Sequence, residues 1–214
     1  MEAELVMQIL SHRGYWKTSE EKNSPVAFKR SFELGFGTET DLRDRLGRLV
    51  VSHDPPGEVA LEAADLFEIY RRVDRDLPLA LNIKADGLQK LLPPLLNDLR
   101  ITNAFVFDMA VPDALAWIRV GLPAFTRESE VERVPAFYDQ AAGVWLDAFS
   151  GDWWTGAVIE AHLAAGKQVC IVSPELHGRD PSDVWNRLAA APFRQDERLM
   201  ICTDRPEEAK ELLG

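Results

Sequence analysis

Val6-Met7-Gln8-Ile9-Leu10-Ser11 runs straight into His12-Arg13-Gly14, an apolar strand-like stretch closed by a charged stop, and this pattern repeats to the end of the chain. Short β-rich runs over residues 6–11, 36–42, 49–52, 79–83, 104–109, 124–127, 144–147, 168–172 and 199–202 read as strands. Amphipathic stretches over residues 25–34, 61–72, 88–99, 112–120, 134–141, 156–165, 182–190 and 206–213 fill the gaps and read as helices. Pro25, Pro112 and Pro206 suit a first helical turn, Ser182 suits a cap, and Gly35 and Gly121 suit helix stops. Strand alternating with helix implies parallel pairing through right-handed crossovers. With the 49–52 run hairpinned to its predecessor, eight strand-plus-helix repeats remain. Eight repeats predict a compact, single-domain (β/α)8 TIM barrel over residues 1–214. An open doubly wound sheet is the competing architecture. Against it, no Gly-x-Gly-x-x-Gly turn follows the first strand, and polar residues recur after many strands instead of gathering at one switch point.

The 214 residues are 46% hydrophobic, enough apolar material for a substantial core, and the net charge of −11 argues against two classes of partner. A nucleic-acid binder needs clustered positive charge, and so does a protein that docks on anionic lipid. A small anionic substrate stays compatible, because one local Arg/Lys pair reverses the field inside a cleft. Cys170 and Cys202 lie in apolar runs and read as buried thiols, with no Cys-x-x-Cys spacing to suggest zinc or redox chemistry. Glu2 and Glu4 stand where a secretory signal carries positive charge, and no apolar stretch is long enough to span a membrane, so a cytoplasmic protein is expected.

In a (β/α) barrel the chemistry sits at the C-terminal ends of the strands. Read in order, those ends carry His12 and Arg13, Glu39 and Asp41, His53 and Asp54, then Asn82 and Lys84. Later ends carry Asp108, Arg127 and Glu128, Asp147, Ser173 and Glu175, and Thr203 and Asp204. Residues i and i+2 of a strand share a face, so Glu39 and Asp41 point together. Two imidazoles, two carboxylates and a guanidinium at strand ends suit metal-assisted phosphate chemistry.

His12-Arg13-Gly14, Glu39-Thr40-Asp41, His53-Asp54, Asn82-Ile83-Lys84 and the terminal Ile201-Cys202-Thr203-Asp204-Arg205-Pro206 come in one order. In that order and style the chain resembles the glycerophosphodiester phosphodiesterases. The resemblance implies a TIM barrel that hydrolyses a small phosphodiester with a divalent cation, Mg²⁺ or Ca²⁺. It implies that His12 and His53 act as general acid and base, and that Glu39, Asp41 and Asn82 hold the metal. Arg13 and Lys84 would neutralise the phosphate.

Three departures stand out. The family usually has Glu-x-Lys where this chain has Asn82-Ile83-Lys84, which removes one negative charge; Glu128, Asp147 or Glu175 could compensate. The segment after the first motif usually reads Pro-Glu-Asn-Thr, and here it reads Lys22-Asn23-Ser24-Pro25. The stretch over residues 55–78 is short where family members often carry an insertion. Asn82 keeps open a rival reading, a non-catalytic barrel that binds a phosphorylated metabolite.

Of the other histidines, His162 falls in a helical run and is expected at the surface. His177 follows a late strand beside Glu175 and Arg179, a set that suits either substrate contact or a local turn network. Trp117 and Trp185 read as core, while Trp16, Trp153 and Trp154 fall in loops on the presumed active side.

Overall fold

A computed structural model describes residues 7–73 and 76–214, so the expected strand start at Val6 lies outside the described residues. The chain separates into two compact units, one of residues 7–10 with Phe125–Gly214 and one of Ser11–Ala124. Strand β1, Gln8–His12, gives its first three residues to the former and its last two to the latter.

The unit of residues 11–124 holds three parallel strands side by side: β2 (Gly37–Arg45), β5 (Leu79–Ile83) and β6 (Ala104–Phe107). As expected, the run near residue 50 is an antiparallel addition: β3 (Arg48–Val51) hairpins onto β2, and the short β4 (Leu61–Glu62) pairs with β3. The hairpin turns at Leu46 and Gly47, both with positive φ, the backbone that a two-residue type I′ turn demands. Helices α1 (Pro25–Glu33), α2 (Ala63–Arg71), α3 (Leu92–Asp98) and α4 (Val111–Val120) complete the unit. Leu42, Leu79, Leu81 and Ile83 pack outward against Phe28, Phe32, Leu66, Phe67 and Trp117 in one apolar core. Alternation along the strands therefore turns Glu39, Asp41, Asn82 and Lys84 to the opposite face.

Local signals explain where α1 begins and ends. Ser24 caps it, its hydroxyl accepting from Ala27 N–H at 3.4 Å, and Pro25 occupies the first turn. Gly35 closes it in a Schellman arrangement, with Gly35 N–H donating to Phe32 O at 3.0 Å and Phe36 N–H to Ser31 O at 3.0 Å. Gly14 packs against this helix with φ of +79°, and a Cβ there would lie 2.8 Å from Ala27 Cβ and 3.0 Å from its carbonyl carbon. Gly14→Ala is expected to lower stability by about 2 kcal/mol or more, through both the left-handed backbone and the clash. Chemical denaturation checks this; unchanged stability would mean that the loop can lift off α1.

The other unit carries four parallel strands: β7 (Phe125–Glu128), β8 (Gly143–Leu146), β9 (Gln168–Val172) and β10 (Leu199–Thr203), paired in that order. Helices α5 (Gly156–Ala164), α6 (Ser182–Ala189) and α7 (Pro206–Leu213) alternate with them. Cys170 and Cys202 are buried thiols in β9 and β10.

Several expected elements differ in extent. The helix expected over residues 88–99 splits into a 3-10 turn at Leu88–Lys90 and α3, because Pro93 and Pro94 lack N–H donors and fit only a helix start. The one expected over residues 134–141 is a series of turns: Pro135 removes a donor and Phe137 takes φ of +54°, incompatible with a continuing helix. Ser182 is the first residue of α6, and its N–H and hydroxyl both donate to Asp180 Oδ1 at 3.0 and 2.7 Å. Among the described residues, no helix is long and apolar enough to cross a membrane.

Candidate active site

Strand register assembles the centre of the site. Asp41 on β2 is the direct partner of Asn82 on β5, and Glu39 stands two residues earlier on the same face. All three side chains are buried. Asn82 Nδ2 donates to Glu39 Oε1 at 3.4 Å, which ties β5 to β2.

The turn after β1 brings in Arg13, and the end of β5 brings in Lys84. Arg13 has φ of +58°, and its N–H donates to Glu39 O at 2.9 Å and to Glu39 Oε2 at 3.2 Å. Its guanidinium Nε lies 3.2 Å from Asp41 Oδ2, an ion pair without hydrogen-bond alignment. Lys84, on the same face as Asn82, puts Nζ 3.6 Å from Asp41 Oδ1 and 3.5 Å from Asp108 Oδ2. Asp108 follows β6 and has φ of +68°, a left-handed backbone that Asp tolerates better than most residues. His12 Nε2 stands 3.9 Å from Glu39 Oε2. Trp16 Nε1 donates to His12 O at 3.1 Å, so this ring holds the strand end itself.

Asn23 belongs to the site, although the sequence reading did not single it out. Its Nδ2 donates to Asp41 Oδ2 at 2.9 Å, its Oδ1 accepts from the Thr40 hydroxyl at 2.9 Å, and its N–H donates to Arg13 O at 2.9 Å. The segment set apart as a departure thus anchors Asp41 through Asn23 and starts α1 through Ser24. An Asn followed by a helix-capping Ser, just upstream of a Pro-led helix, was the available signal.

His53 stands apart from this cluster. It follows β3, is 43% exposed, and its Nδ1 lies 2.9 Å from Asp54 Oδ1. Its backbone carbonyl accepts from Arg43 Nε at 3.0 Å, while Ser52 N–H donates to Asp41 O at 3.0 Å. The chain therefore passes Asp41 one residue before His53, but no described contact joins its ring to Glu39 or Asp41.

Burial, then the Asp41 charge, pushes the Glu39 carboxyl up to about 7, against the opposing pull of His12, Arg13 and Lys84. In the folded protein Glu39 therefore keeps its proton at pH values where the unfolded chain has lost it. Stability of the metal-free protein is expected to fall as pH rises from about 4.5 to about 7, by on the order of 3 kcal/mol. Glu39→Gln should flatten that slope in denaturation curves taken across the window; an unchanged slope would assign it to other groups.

The donor set fits a hard cation. Asp41 Oδ1 and Asn82 Oδ1 are buried without a hydrogen-bond partner, as an oxygen ligand for Mg²⁺ or Ca²⁺ would be. Among the described residues no three His, Cys, Asp or Glu side chains converge as a ligand set, so a third oxygen beside Glu39 and Asp41 would have to be the amide of Asn82. Glu39 and Asp41 are balanced in formal charge by Arg13 and Lys84.

The other unit has its own polar cluster at strand ends. Asp147, buried after β8, accepts from Ala148 N–H at 2.9 Å and lies 2.7 Å from His177 Nε2. Arg179 donates to Ala148 O and to Asp152, each at 2.7 Å. Glu175 accepts from the Ser173 and Thr203 hydroxyls and from Asp204 N–H. These contacts form a local network. Glu128 pairs with His162 Nε2 at 3.0 Å. His162 is buried, not at the surface as its helical run suggested, because it faces Glu128 and the Tyr138 hydroxyl. Trp117, Trp154 and Trp185 are buried.

No family model and no curated protein matches the sequence. Solved structures match it along its whole length. A protein of Galdieria sulphuraria assigned to the glycerophosphodiester phosphodiesterases superposes with a TM-score of 0.75 at 16% identity, covering 99% of each chain. The fold is that of the glycerophosphodiester phosphodiesterases. The enzyme of Agrobacterium tumefaciens gives 0.69 at 17% identity, over 96% of this chain and 98% of its own. An Oleispira antarctica phosphodiesterase, in complex with the product sn-glycerol-3-phosphate, gives 0.64 at 14% identity over 97% and 96%. The glycerophosphodiester phosphodiesterase fold is a (β/α)8 barrel, which matches the expected fold class.

Proposed function

We propose that the protein hydrolyses a small phosphodiester of the glycerophosphodiester type with the help of a divalent cation. The observation that carries this reading is the convergence of Glu39 and Asp41, within β2, and of Asn82 with Arg13, Lys84 and His12 at the ends of β1 and β5. Three oxygen side chains and two cations within one cluster suit a bound phosphate, and the likeness in fold to phosphodiesterases supports the same chemistry.

Glu39, Asp41 and Asn82 would hold the cation. When bound, Mg²⁺ or Ca²⁺ supplies Lewis-acid polarisation of a phosphoryl oxygen. Arg13 and Lys84 bind the phosphate and offset the charge that grows on it in the transition state. Attack on phosphorus needs a proton removed from the attacking oxygen, and expulsion of the alkoxide needs a proton delivered. His12 and His53 divide these transfers, because imidazole titrates near neutral pH. His12 is held at the strand end beside Glu39, and Asp54 orients the ring of His53 from the β3 loop. Asn82, neutral where the resemblance suggests a glutamate, leaves the site one negative charge short and predicts weak cation binding.

The test is hydrolysis of bis(p-nitrophenyl) phosphate and glycerophosphodiesters by metal-stripped protein, with Mg²⁺, Ca²⁺ or Mn²⁺ added back. Turnover restored by a cation is the expected result. No turnover with any cation, from protein that still binds phosphate esters, would favour the non-catalytic binding barrel that Asn82 keeps open.

A further inference from the structure

Lys84 is shared between two carboxylates. Its ammonium lies 3.6 Å from Asp41 Oδ1 and 3.5 Å from Asp108 Oδ2, near enough to equal that neither holds it alone. Asp41 Oδ1 is also one of the buried oxygens without a hydrogen-bond partner, so an arriving cation and the Lys84 ammonium seek the same atom. The two cannot both sit against it, because like charges a few ångströms apart in a part-buried site repel strongly. Arg13 and Asn23 already occupy the Asp41 Oδ2 side, which leaves Oδ1 as the open approach. Asp108 reaches Lys84 from the next strand over, at the end of β6, with a left-handed backbone. Strain of that kind persists where the surrounding structure imposes it and is concentrated at functional sites.

We infer that Asp108 is a positioning residue that draws the Lys84 ammonium off Asp41, so that a divalent cation can reach the Asp41 carboxylate. The inference rests on the cation site read above. In the cation-free protein Lys84 neutralises Asp41 in part. When the cation binds, Lys84 stays on the Asp108 side, charged and available to a phosphate oxygen.

The experiment is calorimetric titration of the metal-stripped protein with Mg²⁺, Ca²⁺ and Mn²⁺ alone, on a double-mutant cycle of Lys84→Met and Asp108→Asn. Asparagine keeps the left-handed backbone accessible, so Asp108→Asn is expected to fold. Removing the ammonium should tighten cation binding by about tenfold, and removing the Asp108 charge should weaken it by about fivefold. With Met at position 84 the Asp108→Asn change should cost less than about twofold, since there is no ammonium left to draw away. Lys84→Met should also lower kcat while tightening the cation, a split that plain loss of structure would not produce. An equal cost of Asp108→Asn in both backgrounds, or no cost in either, would overturn the inference and leave the cation site standing. No cation binding by the wild type or by Lys84→Met would overturn both.

Discussion

His12→Ala should lower phosphodiester turnover by about a thousandfold while leaving the folded state nearly as stable as before. The ring is mostly covered, and its Nε2 stands 3.9 Å from Glu39, beyond hydrogen-bond distance, so the loss of that contact costs the fold little. A positioned proton-transfer group is worth about 10² to 10⁴ in rate, and in the proposed reaction Arg13 and Lys84 bind the phosphate while Glu39 and Asp41 would hold the cation. His53→Ala should also lower turnover, with even less effect on stability, because its ring is 43% exposed and, among the described residues, pairs with the exposed Asp54. Steady-state kinetics with thermal unfolding of both variants checks this. Full activity in both would remove the acid–base assignment.

Asp41→Asn should be the costliest single change to the fold. Asp41 is buried, 1% exposed, and faces the guanidinium of Arg13, the ammonium of Lys84 and the amide of Asn23. Removing one partner of a buried ion pair costs about 3–5 kcal/mol, because the remaining charge stays desolvated. Arg13 and Lys84 keep about a fifth of their side chains in solvent, and Lys84 retains Asp108, so the lower end applies. A loss of about 3 kcal/mol would lower Tm by roughly 10 °C in a domain of this size. Activity should vanish with it, since the cation loses its open carboxylate oxygen. Glu39→Gln is the informative contrast: it removes a carboxylate from the same face yet should stabilise the protein above pH 7, because burial works against the Glu39 charge. Equal destabilisation in both variants would contradict that division.

Much of this was legible from the residues because the strands obey two simple patterns. Leu79, Leu81 and Ile83 alternate with Ala80, Asn82 and Lys84, so one period-two reading gives both the packed face and the polar face. Charged stops after apolar runs marked where Glu39, Asp41, Asn82 and Lys84 would meet. Pairing across strands was not legible. That Asp41 lies opposite Asn82, and that Asp108 reaches Lys84, depends on register, which no local signal carries. Asn23 was hidden for a related reason: an Asn in a loop has many local uses, and only the path of the loop back to Arg13 brings it to Asp41. His162 was misplaced because α5 is apolar on several sides, so helical periodicity could not say which face would be covered.

The most direct test of the central claim is phosphorus NMR of the wild-type protein incubated with a glycerophosphodiester and a divalent cation. The account predicts that the diester resonance is replaced by that of a phosphomonoester, directly or by way of a cyclic phosphate, and that His12→Ala leaves it in place. A diester signal that persists with every cation, from folded protein that binds the ester, would contradict it.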